Sequence, residues 1–316
     1  MDSSAIADRR QLRRKLGFWR VIAVLLLVAL GFALFRFVAG DLLRGPQIAR
    51  VEVSGLILDD KELLERLKRI QDNDQVKALI VSISSTGGTT YGGERIFKAI
   101  RAVAAKKPVV SDIRTVAASA GYMIATAGDD IVAGDTSITG SIGVIFQYPQ
   151  AKDLLDKLGV SLEDIKSAPL KAEPSPFHPA SEEAKSMIRN MVMDSYAWFV
   201  DLVADRRKLP REDVLKLADG SIFTGRQALQ NKLIDTIGGE DEIRAYLATR
   251  KVKKDLPIVD WKAEDKTSFF SWSGAASRLL NLFGYDDFMK GEDLQKFMTE
   301  KLFLDGLLSV WQGAAN

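Results

Sequence analysis

The segment between residues 46 and 250 alternates short β-rich runs with helical patterns, and this alternation constrains the fold more than any other feature. The clearest run is VKALIVSIS, at residues 76–84, which is apolar almost throughout. Such a run is typical of a strand in a sheet that is covered on both faces. A glycine-rich turn and a helical pattern over residues 94–105 follow it. The sequence therefore predicts an α/β domain with a largely parallel sheet over residues 46–250.

The same patterns place further elements along the chain. Strands are expected in IARVEVSG, KPVVSDI, DIVAG and SIGVIF, and helices over residues 60–70, 152–158 and 181–208. Residues 251–316 are less regular, and we expect them to form a helical tail that ends in an apolar helix, FLDGLLSVW. This tail is interpreted as a peripheral segment or a docking element, not as a second catalytic domain.

Residues 21–39 form the apolar run VIAVLLLVALGFALFRFVA, in which Arg36 is the one charged residue. About 20 helical residues cross the apolar core of a bilayer, so this run suffices if Arg36 extends to the interface. Arginines crowded within residues 1–20 favour a cytoplasmic N-terminus. We therefore predict a basic cytoplasmic segment, a membrane-spanning anchor at residues 21–39, and an extracytoplasmic domain. The alternatives are a cleaved signal peptide, because residues 37–39 resemble a cleavage site, and a buried core helix.

Composition excludes several kinds of site. The chain has no cysteine, so it has no disulfide, no thiolate nucleophile and no cysteine-ligated metal. Its formal net charge of +2 gives no general reason to expect nucleic acid as a partner. The single histidine, His178, lies in the proline-rich loop PSPFHP, so a serine–histidine–aspartate site has little support.

The segment VAASAGYMIA, residues 116–125, places Ser119 among small residues, between an extended run and a helical pattern. By itself the segment fits either a tight turn that needs little side-chain volume or a nucleophile. A nucleophilic serine needs a base, and a buried lysine with a lowered pKa can replace histidine. Lys171 follows a β-like run and enters a non-helical segment, whereas most other lysines lie in helical charge patterns. The residues alone leave Lys171 as one candidate among several.

Five segments resemble, in order, motifs of the signal peptide peptidase A family, serine proteases of the ClpP/crotonase-like superfamily. They are STGG (85–88), SAGY (119–122), GSIGV (140–144), KSAPLK (166–171) and TGRQALQNKLIDTIGG (224–239). Two residues depart from the family motifs, since Thr86 replaces a proline and Ala120 replaces a glycine. Neither change removes a reacting group, and we expect Ala120 to alter the shape of the pocket.

The resemblance implies a ClpP/crotonase-like α/β fold of repeated ββα units and a role for each motif residue. Ser119 would attack the peptide carbonyl, and Lys171 would be its general base. Ser141 would hydrogen-bond the lysine amine and hold it in orientation. The backbone N–H groups of Gly88 and Ala120 would hold the oxyanion, because a Gly-Gly turn and a helix N-terminus both present N–H donors.

The resemblance also implies substrates and surroundings. Gly87, Gly140, Ile142 and Gly143 would line the substrate-binding site, and neither a metal nor a cofactor is implied. Expected partners are signal peptides, other membrane-associated polypeptides, and the lipid bilayer through residues 21–39. One set of motifs is typical of a short form that assembles as a homo-oligomer, with sites completed across subunits. The expected location is the bacterial inner membrane, with the peptidase domain on the periplasmic side.

Two other functions fit parts of the sequence. Crotonase-like folds also serve acyl-CoA chemistry, in which paired N–H groups stabilise an enolate, but such enzymes often use carboxylates and are usually soluble. A catalytically silent scaffold for membrane proteins would need a broken dyad, and the sequence retains both Ser119 and Lys171. The predicted anchor and the Ser/Lys/Ser set therefore favour a membrane-anchored serine endopeptidase.

Overall fold

The computed structural model describes residues 17–32, 45–263 and 308–310. They belong to two compact units, Met1–Gln47 and Ile48–Asn316. In the first unit, helix α1 spans residues 17–32, and nearly all of its side chains are exposed. Within these described ranges, no helix is both long enough and apolar enough to cross a membrane. The predicted anchor, residues 21–39, continues past residue 32 and so lies partly outside the described residues.

The rest of the described chain forms a mixed α/β domain around one sheet. Its strands are β1 (Gln47–Ile57), β2 (Val76–Thr89), β3 (Val109–Ala118), β4 (Asp130–Ala133), β5 (Ile138–Gly140), β6 (Ile222–Thr224), β7 (Thr236–Ile237), β8 (Ile258–Asp260) and β9 (Leu308–Val310). Its helices are α2 (Lys61–Asp72), α3 (Thr90–Ala104), α4 (Ala120–Ala125), α5 (Lys152–Lys157), α6 (Glu182–Arg207), α7 (Arg211–Leu217), α8 (Gly225–Gln230) and α9 (Glu240–Thr249).

The main path of the sheet runs β6-β5-β3-β2-β1-β8, with β4 beside β3, β7 beside β4, and β9 beside β2. Strand β3 pairs parallel with β2, β4 and β5. The pairs β5–β6 and β2–β9 are antiparallel. The predicted α/β domain with a largely parallel sheet is therefore confirmed. Because β2, β3 and β5 run in one direction, their carboxyl ends meet at one edge of the sheet, where the candidate site lies.

Both faces of the central strand β2 are covered. Leu79, Val81 and Ile83 belong to a large buried cluster that includes side chains of α2, α3 and α6. Ala78 and Ile80 point to the other face and belong to a smaller cluster with α9. Alternate residues of a strand face opposite sides of a sheet, so a strand covered on both sides is apolar at successive positions. This packing accounts for the apolar run VKALIVSIS.

Side-chain caps fix where the helices begin. The Thr89 side chain accepts a hydrogen bond from the Gly92 N–H at 3.1 Å, so α3 begins directly where β2 ends. The Ser181 hydroxyl accepts a bond from the Ala184 N–H, also at 3.1 Å, at the start of α6. Such caps contribute about 1 kcal/mol each. Helices α5 and α6 confirm the helices predicted over residues 152–158 and 181–208.

Two predicted elements differ from the structure. The strand expected in SIGVIF is absent from residues 141–144, because β5 ends at Gly140 and Ser141 turns off the strand with a φ of 51°. The helix expected in FLDGLLSVW is wrong for Leu308–Val310, which form strand β9. These three residues pair antiparallel with the end of β2, a partner about 220 residues earlier in the chain that the local apolar pattern does not indicate. The other residues of that segment lie outside the described part of the chain.

Candidate active site

Ser119 lies in a sharp turn between β3 and α4. Its backbone has φ 58° and ψ −120°, a conformation that costs a residue other than glycine about 1–3 kcal/mol. The Ser119 carbonyl accepts the first hydrogen bond of α4, from the Met123 N–H at 2.9 Å. Ser119 is 1% exposed. A strained strand-to-helix turn of this kind holds a serine hydroxyl at the end of a sheet, as nucleophile elbows do.

The register between β3 and β5 brings Ser141 beside Ser119. Ala118 of β3 pairs with Gly140 of β5, and the two serines directly follow these residues. The Ser119 N–H donates to the Gly140 carbonyl at 2.8 Å. Ser141 also has a positive φ, and its N–H donates to the Ser221 carbonyl at 2.7 Å. Two predicted site residues that are far apart in sequence are therefore neighbours, fixed by backbone hydrogen bonds.

Both serines line a cavity of about 460 Å³. Of the four residues predicted to bind substrate, Ile142 and Gly143 also line it, whereas Gly87 and Gly140 are not among the described residues that do. The other contributors are mainly apolar side chains and come from several elements: Val144, Ile145, Val192, Met193, Tyr196, Ala218, Asp219, Gly220 and Leu308. Since α6 supplies Val192, Met193 and Tyr196, the cavity has an apolar wall opposite the serines. It suits an apolar side chain next to a reactive hydroxyl.

Gly87 and Gly88, which were predicted to lie in a turn, form the end of strand β2, and Ser85 holds this end in place. The Ser85 hydroxyl donates to the Gly55 carbonyl at 2.6 Å and accepts a bond from the Gly87 N–H at 3.1 Å. Gly87 has a φ of 117°, which favours glycine. A Cβ on Gly88 would lie 2.0 Å from the Ile57 carbonyl oxygen, so only glycine fits there. The end of β2 that carries both predicted glycines is therefore fixed on β1, at the same sheet edge as Ser119.

The methyl group of Ala120 faces the protein interior. Ala120 is fully buried, and a Cβ built on Gly93 of α3 would lie 3.2 Å from the Ala120 Cβ. Ala120 is not among the described residues that line the cavity. The side chain therefore fills the contact between α3 and α4, and its backbone N–H lies at the turn where the oxyanion was predicted.

Lys171 lies outside this cavity. It occupies a turn, with its N–H donating to the Ala168 carbonyl at 3.1 Å, and it is exposed. Nearby, the Lys166 ammonium binds the Glu173 carboxylate at 2.6 Å and lowers the pKa of that carboxyl. Within one chain, the structure brings Ser119 and Ser141 together but does not bring Lys171 to them.

His178 belongs to the same polar cluster as Lys166. Its Nε2 lies 3.3 Å from the Glu173 carboxylate, and it does not line the cavity that holds Ser119. The prediction that His178 is not the base is consistent with this position.

Tyr122, the last residue of the SAGY motif, connects α4 to the chain segment that contains Leu233. Its hydroxyl donates to the Leu233 carbonyl at 2.8 Å, and complete burial raises the pKa of this hydroxyl. Leu233 belongs to the TGRQALQNKLIDTIGG segment, so two motifs far apart in the sequence meet behind the Ser119 turn. Tyr122 is therefore a positioning residue that has no contact with the cavity.

A larger cavity of about 680 Å³ lies on the polar face of the sheet, and none of the predicted site residues line it. Its charged groups pair with each other, as in the contact of Arg50 with Glu240 at 2.8 Å and of Arg114 with Asp112 at 3.4 Å. The smaller apolar cavity, which holds the serines, is therefore the better candidate for catalysis.

Comparison with known proteins identifies the family. The sequence pattern of peptidase family S49 matches residues 101–254. A signal peptide peptidase SppA of Enterococcus faecium is 36% identical over 245 residues, covering 72% of this chain and 70% of the relative. This chain belongs to peptidase family S49. The S49 chain also matches a protease of Synechocystis at 39% identity, over 64% of this chain and 74% of the relative.

A longer relative matches over part of its length. Protease 4 of Haemophilus influenzae is 30% identical over 71% of this chain but only 39% of its own length. Together, these names and the family identify the S49 chain as a serine protease. The comparisons thus confirm the resemblance drawn from the five motifs.

Three contributors to the site were missed from the sequence. Ser85 stands two residues before Gly87, a spacing at which a serine hydroxyl commonly accepts a backbone N–H, and this signal could have found it. Tyr196 lies in the predicted helix α6, but no pattern pointed its side chain toward the serines. Leu308 could not be found, because its segment was predicted to be helical.

Proposed function

We propose that this S49 protease cleaves peptide bonds with Ser119 as nucleophile and Lys171 as general base. The observation that carries the proposal is the backbone register that holds Ser119 and Ser141 side by side on an apolar cavity. A hydroxyl in that position can reach a peptide carbonyl whose neighbouring side chain fills the cavity.

The reaction follows from these groups. The neutral amine of Lys171 takes the Ser119 proton as Oγ bonds to the carbonyl carbon. The oxyanion that forms accepts hydrogen bonds from the N–H groups of Gly88 and Ala120, and loss of one such donor typically costs about 3 kcal/mol. The lysine ammonium then gives its proton to the leaving amine as the C–N bond breaks. Water, deprotonated by the same amine, releases the acyl group and restores Ser119.

In this proposal Lys171 acts on the Ser119 of a neighbouring copy. Its exposure and its position outside its own cavity support this arrangement, as does the single set of motifs per chain. The segment before it exposes large apolar side chains, including Leu158, Leu162 and Ile165, which would be buried in a contact between copies. Burial between two copies disfavours the charged form of an amine, and a general base must be uncharged.

We further propose that the substrates are residual signal peptides and other membrane-associated polypeptides, and that residues 21–39 anchor the enzyme in the bacterial inner membrane. Anchoring would hold the enzyme beside such substrates and raise their effective concentration. The apolar walls of the cavity support an apolar substrate side chain. Protease treatment of spheroplasts tests the topology, since a periplasmic domain is digested, whereas a protected domain would contradict the anchor.

Hydrolysis of a fluorogenic peptide tests the dyad. Ser119→Ala and Lys171→Ala should each abolish hydrolysis, whereas Lys253→Ala, a change of another exposed lysine, should leave it intact. Labelling by an alkyl fluorophosphonate should require Ser119 and should slow greatly without Lys171. Hydrolysis that survives both dyad substitutions would refute the mechanism.

Mixing the two inactive variants tests the contact between copies. A site needs Ser119 from one copy and Lys171 from the next, so a refolded equal mixture should regain about one quarter of the activity if neighbours pair at random through a heterologous interface. Each variant alone stays inactive. A mixture that also stays inactive, while remaining the same size as the native assembly, would place both residues of each site in one chain.

A further inference from the structure

Two arginines bind the chain where helix α4 ends, at the opposite end of this helix from the proposed nucleophile. Arg206, in the last turn of α6, donates from Nε to the Thr126 carbonyl and from Nη2 to the Gly128 carbonyl, both at 2.8 Å. Arg101 of α3 donates to the Ala127 carbonyl between them, also at 2.8 Å. Carbonyls at the end of a helix and just beyond it have no partner within the helix, and these three residues are buried. The arginines therefore supply hydrogen bonds that the end of α4 lacks.

The two arginines differ in their other contacts. Arg101 also pairs with the Asp129 carboxylate at 3.0 Å, whereas Arg206 forms no ion pair among the described residues. Burial is the main cause that lowers the pKa of the Arg206 guanidinium, and a cation taken partly out of water without a carboxylate partner is costly. The two carbonyls alone hold this guanidinium, and its planar fork fixes the carbonyls in turn. The contact of Arg206 is therefore one of geometry.

Helix α6 connects this contact to the cavity of the two serines. Tyr196 of α6 lines the cavity, and Arg206 lies ten residues later on the same helix, about 15 Å along its axis. Between them, Phe199 and Val203 are buried in the same cluster as Met123 of α4. One continuous helix therefore carries both a wall of the cavity and the arginine that binds the far end of α4.

Helix α4 is short enough for its two ends to move together. It has six residues, which makes it about 9 Å long. Ser119 directly precedes it, and Ala120, whose N–H is the proposed oxyanion donor, is its first residue. A shift of the carbonyls that Arg206 binds would therefore move both groups relative to the cavity. A displacement of about 1 Å at a reacting group can lower a rate about 10²-fold.

We propose that Arg206 is a positioning residue of the hydrolytic site, which fixes α4 against α6 and thereby aligns Ser119 with a peptide held against the wall that α6 forms. This role rests on the proposed function, because it takes Ser119 as the nucleophile. Arg206 is not among the described residues that line the cavity. Its effect should therefore appear in the rate of the chemical step and not in the affinity for substrate.

The rate at which an alkyl fluorophosphonate labels Ser119 tests the positioning. Arg206→Met removes both hydrogen bonds and should slow labelling at least about tenfold, although every molecule is labelled in the end. A merely structural loss would instead leave an unfolded fraction without label and the native rate in the rest. Peptide hydrolysis should agree, with kcat at least about tenfold lower and KM within about twofold of the native value. The native labelling rate in Arg206→Met would overturn the proposal.

The variant Arg206→Lys separates geometry from charge, and it keeps the test available if Arg206→Met does not fold. An ammonium retains the positive charge but does not hold two carbonyls in the fixed fork of a guanidinium. Labelling of this variant should therefore be slower than that of the native chain and faster than that of Arg206→Met. The native rate in Arg206→Lys would show that charge alone suffices and would overturn the positioning role.

Arg211→Met is the matched control. Arg211 begins α7, just beyond α6, and pairs on the surface with Asp201 at 2.6 Å, so its loss should leave both rates unchanged. A loss equal to that in Arg206→Met would overturn the proposal, because the effect would not depend on the carbonyls of α4. Hydrolysis that survives Ser119→Ala would refute the proposed function and with it the role of Arg206. Hydrolysis and labelling that need Ser119 but do not change in Arg206→Met would overturn the role of Arg206 alone.

Discussion

The turn that holds Ser119 and the segment that holds Lys171 are built in opposite ways. Ser119 is 1% exposed, and backbone hydrogen bonds to strand β5 and helix α4 fix it. Lys171 is exposed, and the strongest contact nearby joins Lys166 to Glu173. The sheet thus positions the proposed nucleophile within one chain, whereas the proposed base belongs to a segment that is not among the described residues lining the cavity of that serine.

This difference indicates which residues of a site the sheet of one chain can hold in a fixed geometry. Parallel strands that end at one edge place their last residues at distances set by the ladder, so Ser119 and Ser141 gain their geometry from the backbone alone. A base on a turn must gain its geometry from another contact. Substitutions near Ser119 should therefore change the geometry of the site within one chain. Substitutions near Lys171 should act by changing the contacts that its segment makes.

The largest effect is expected for Gly88→Ala. The added Cβ would lie 2.0 Å from the Ile57 carbonyl oxygen, so the end of β2 must move and the Gly88 N–H must leave the position proposed for the oxyanion. We expect kcat to fall at least about 10²-fold, because an oxyanion donor is lost, and the melting temperature to fall as well. Gly239→Ala is the control, since a Cβ there meets nothing within 4 Å. Normal kcat in Gly88→Ala would remove Gly88 from the oxyanion site.

A smaller effect is expected for Ser141→Ala. Loss of the hydroxyl that is proposed to orient the lysine amine should lower kcat about 10²-fold with little change in KM, in the range typical of general-base catalysis. The control is Ser221→Ala, because the Ser221 carbonyl that accepts the Ser141 N–H is retained. An equal loss in both variants would show that the effect is not specific to the Ser141 hydroxyl.

The two regions should respond to pH with opposite signs. Burial and the nearby Asp235 raise the pKa of Asp130, in β4 beside the strand that carries Ser119, to about 6. Because this folded-state pKa exceeds the ordinary value of 3.8, the folded state holds an extra proton, and stability falls as pH rises toward 6. Asp130→Asn should add about 1–2 kcal/mol at pH 7.5, after allowance for solvent screening, and little at pH 4. Thermal unfolding at both values measures the difference.

Near Lys171 the sign is reversed. Lys166 lowers the pKa of the Glu173 carboxyl, so this pair stabilises the fold above the ordinary pKa of glutamate and is lost as pH falls through the lowered value. Glu173→Gln should therefore lower the melting temperature at pH 7.5, where Asp130→Asn raises it. Shifts of the same sign in the two variants at pH 7.5 would contradict the distinction between the two regions.

The smallest effect is expected for Ala120→Gly, which restores the family's residue. The methyl fills space against Gly93 and does not line the cavity, so kcat/KM should stay within about twofold, while stability falls by about 1 kcal/mol because glycine is less favourable in a helix. Hydrolysis of a peptide series and thermal unfolding measure both. A changed preference at the cleaved position would show that the Ala120 methyl reaches the substrate.

The sequence predictions succeeded where the pattern lay in neighbouring residues, and they were wrong where the structure depends on contacts with distant residues. The sheet was predicted because β2 is apolar at successive positions, which needs no knowledge of distant contacts. The SIGVIF strand was wrong because its apolar residues line a cavity after Ser141 has turned the chain, and burial alone does not distinguish the two. Leu308 was missed because its strand exists only through pairing with β2, and no local pattern encodes a distant edge.

Of the candidate site, the motifs identified Ser119 and Ser141, and the structure places both on one cavity, with the Ser119 N–H bonded to the carbonyl of Gly140. The position of Lys171 could not be derived in the same way. A lysine on a turn has no periodic pattern, and its proposed partner lies on another copy of the chain. Motifs in the sequence therefore identify candidate site residues. Which of these residues lie together can be predicted only where paired strands or helices connect them.

The backbone angles of Ser119 have a consequence for how the enzyme can evolve. A glycine at this position would adopt φ 58° without the strain that serine carries, so the substitution that removes the proposed nucleophile would also relieve the turn. Stability and activity are therefore opposed at this residue. Selection for folding alone would therefore favour an inactive protein with the same sheet. Only selection for hydrolysis would retain the serine hydroxyl.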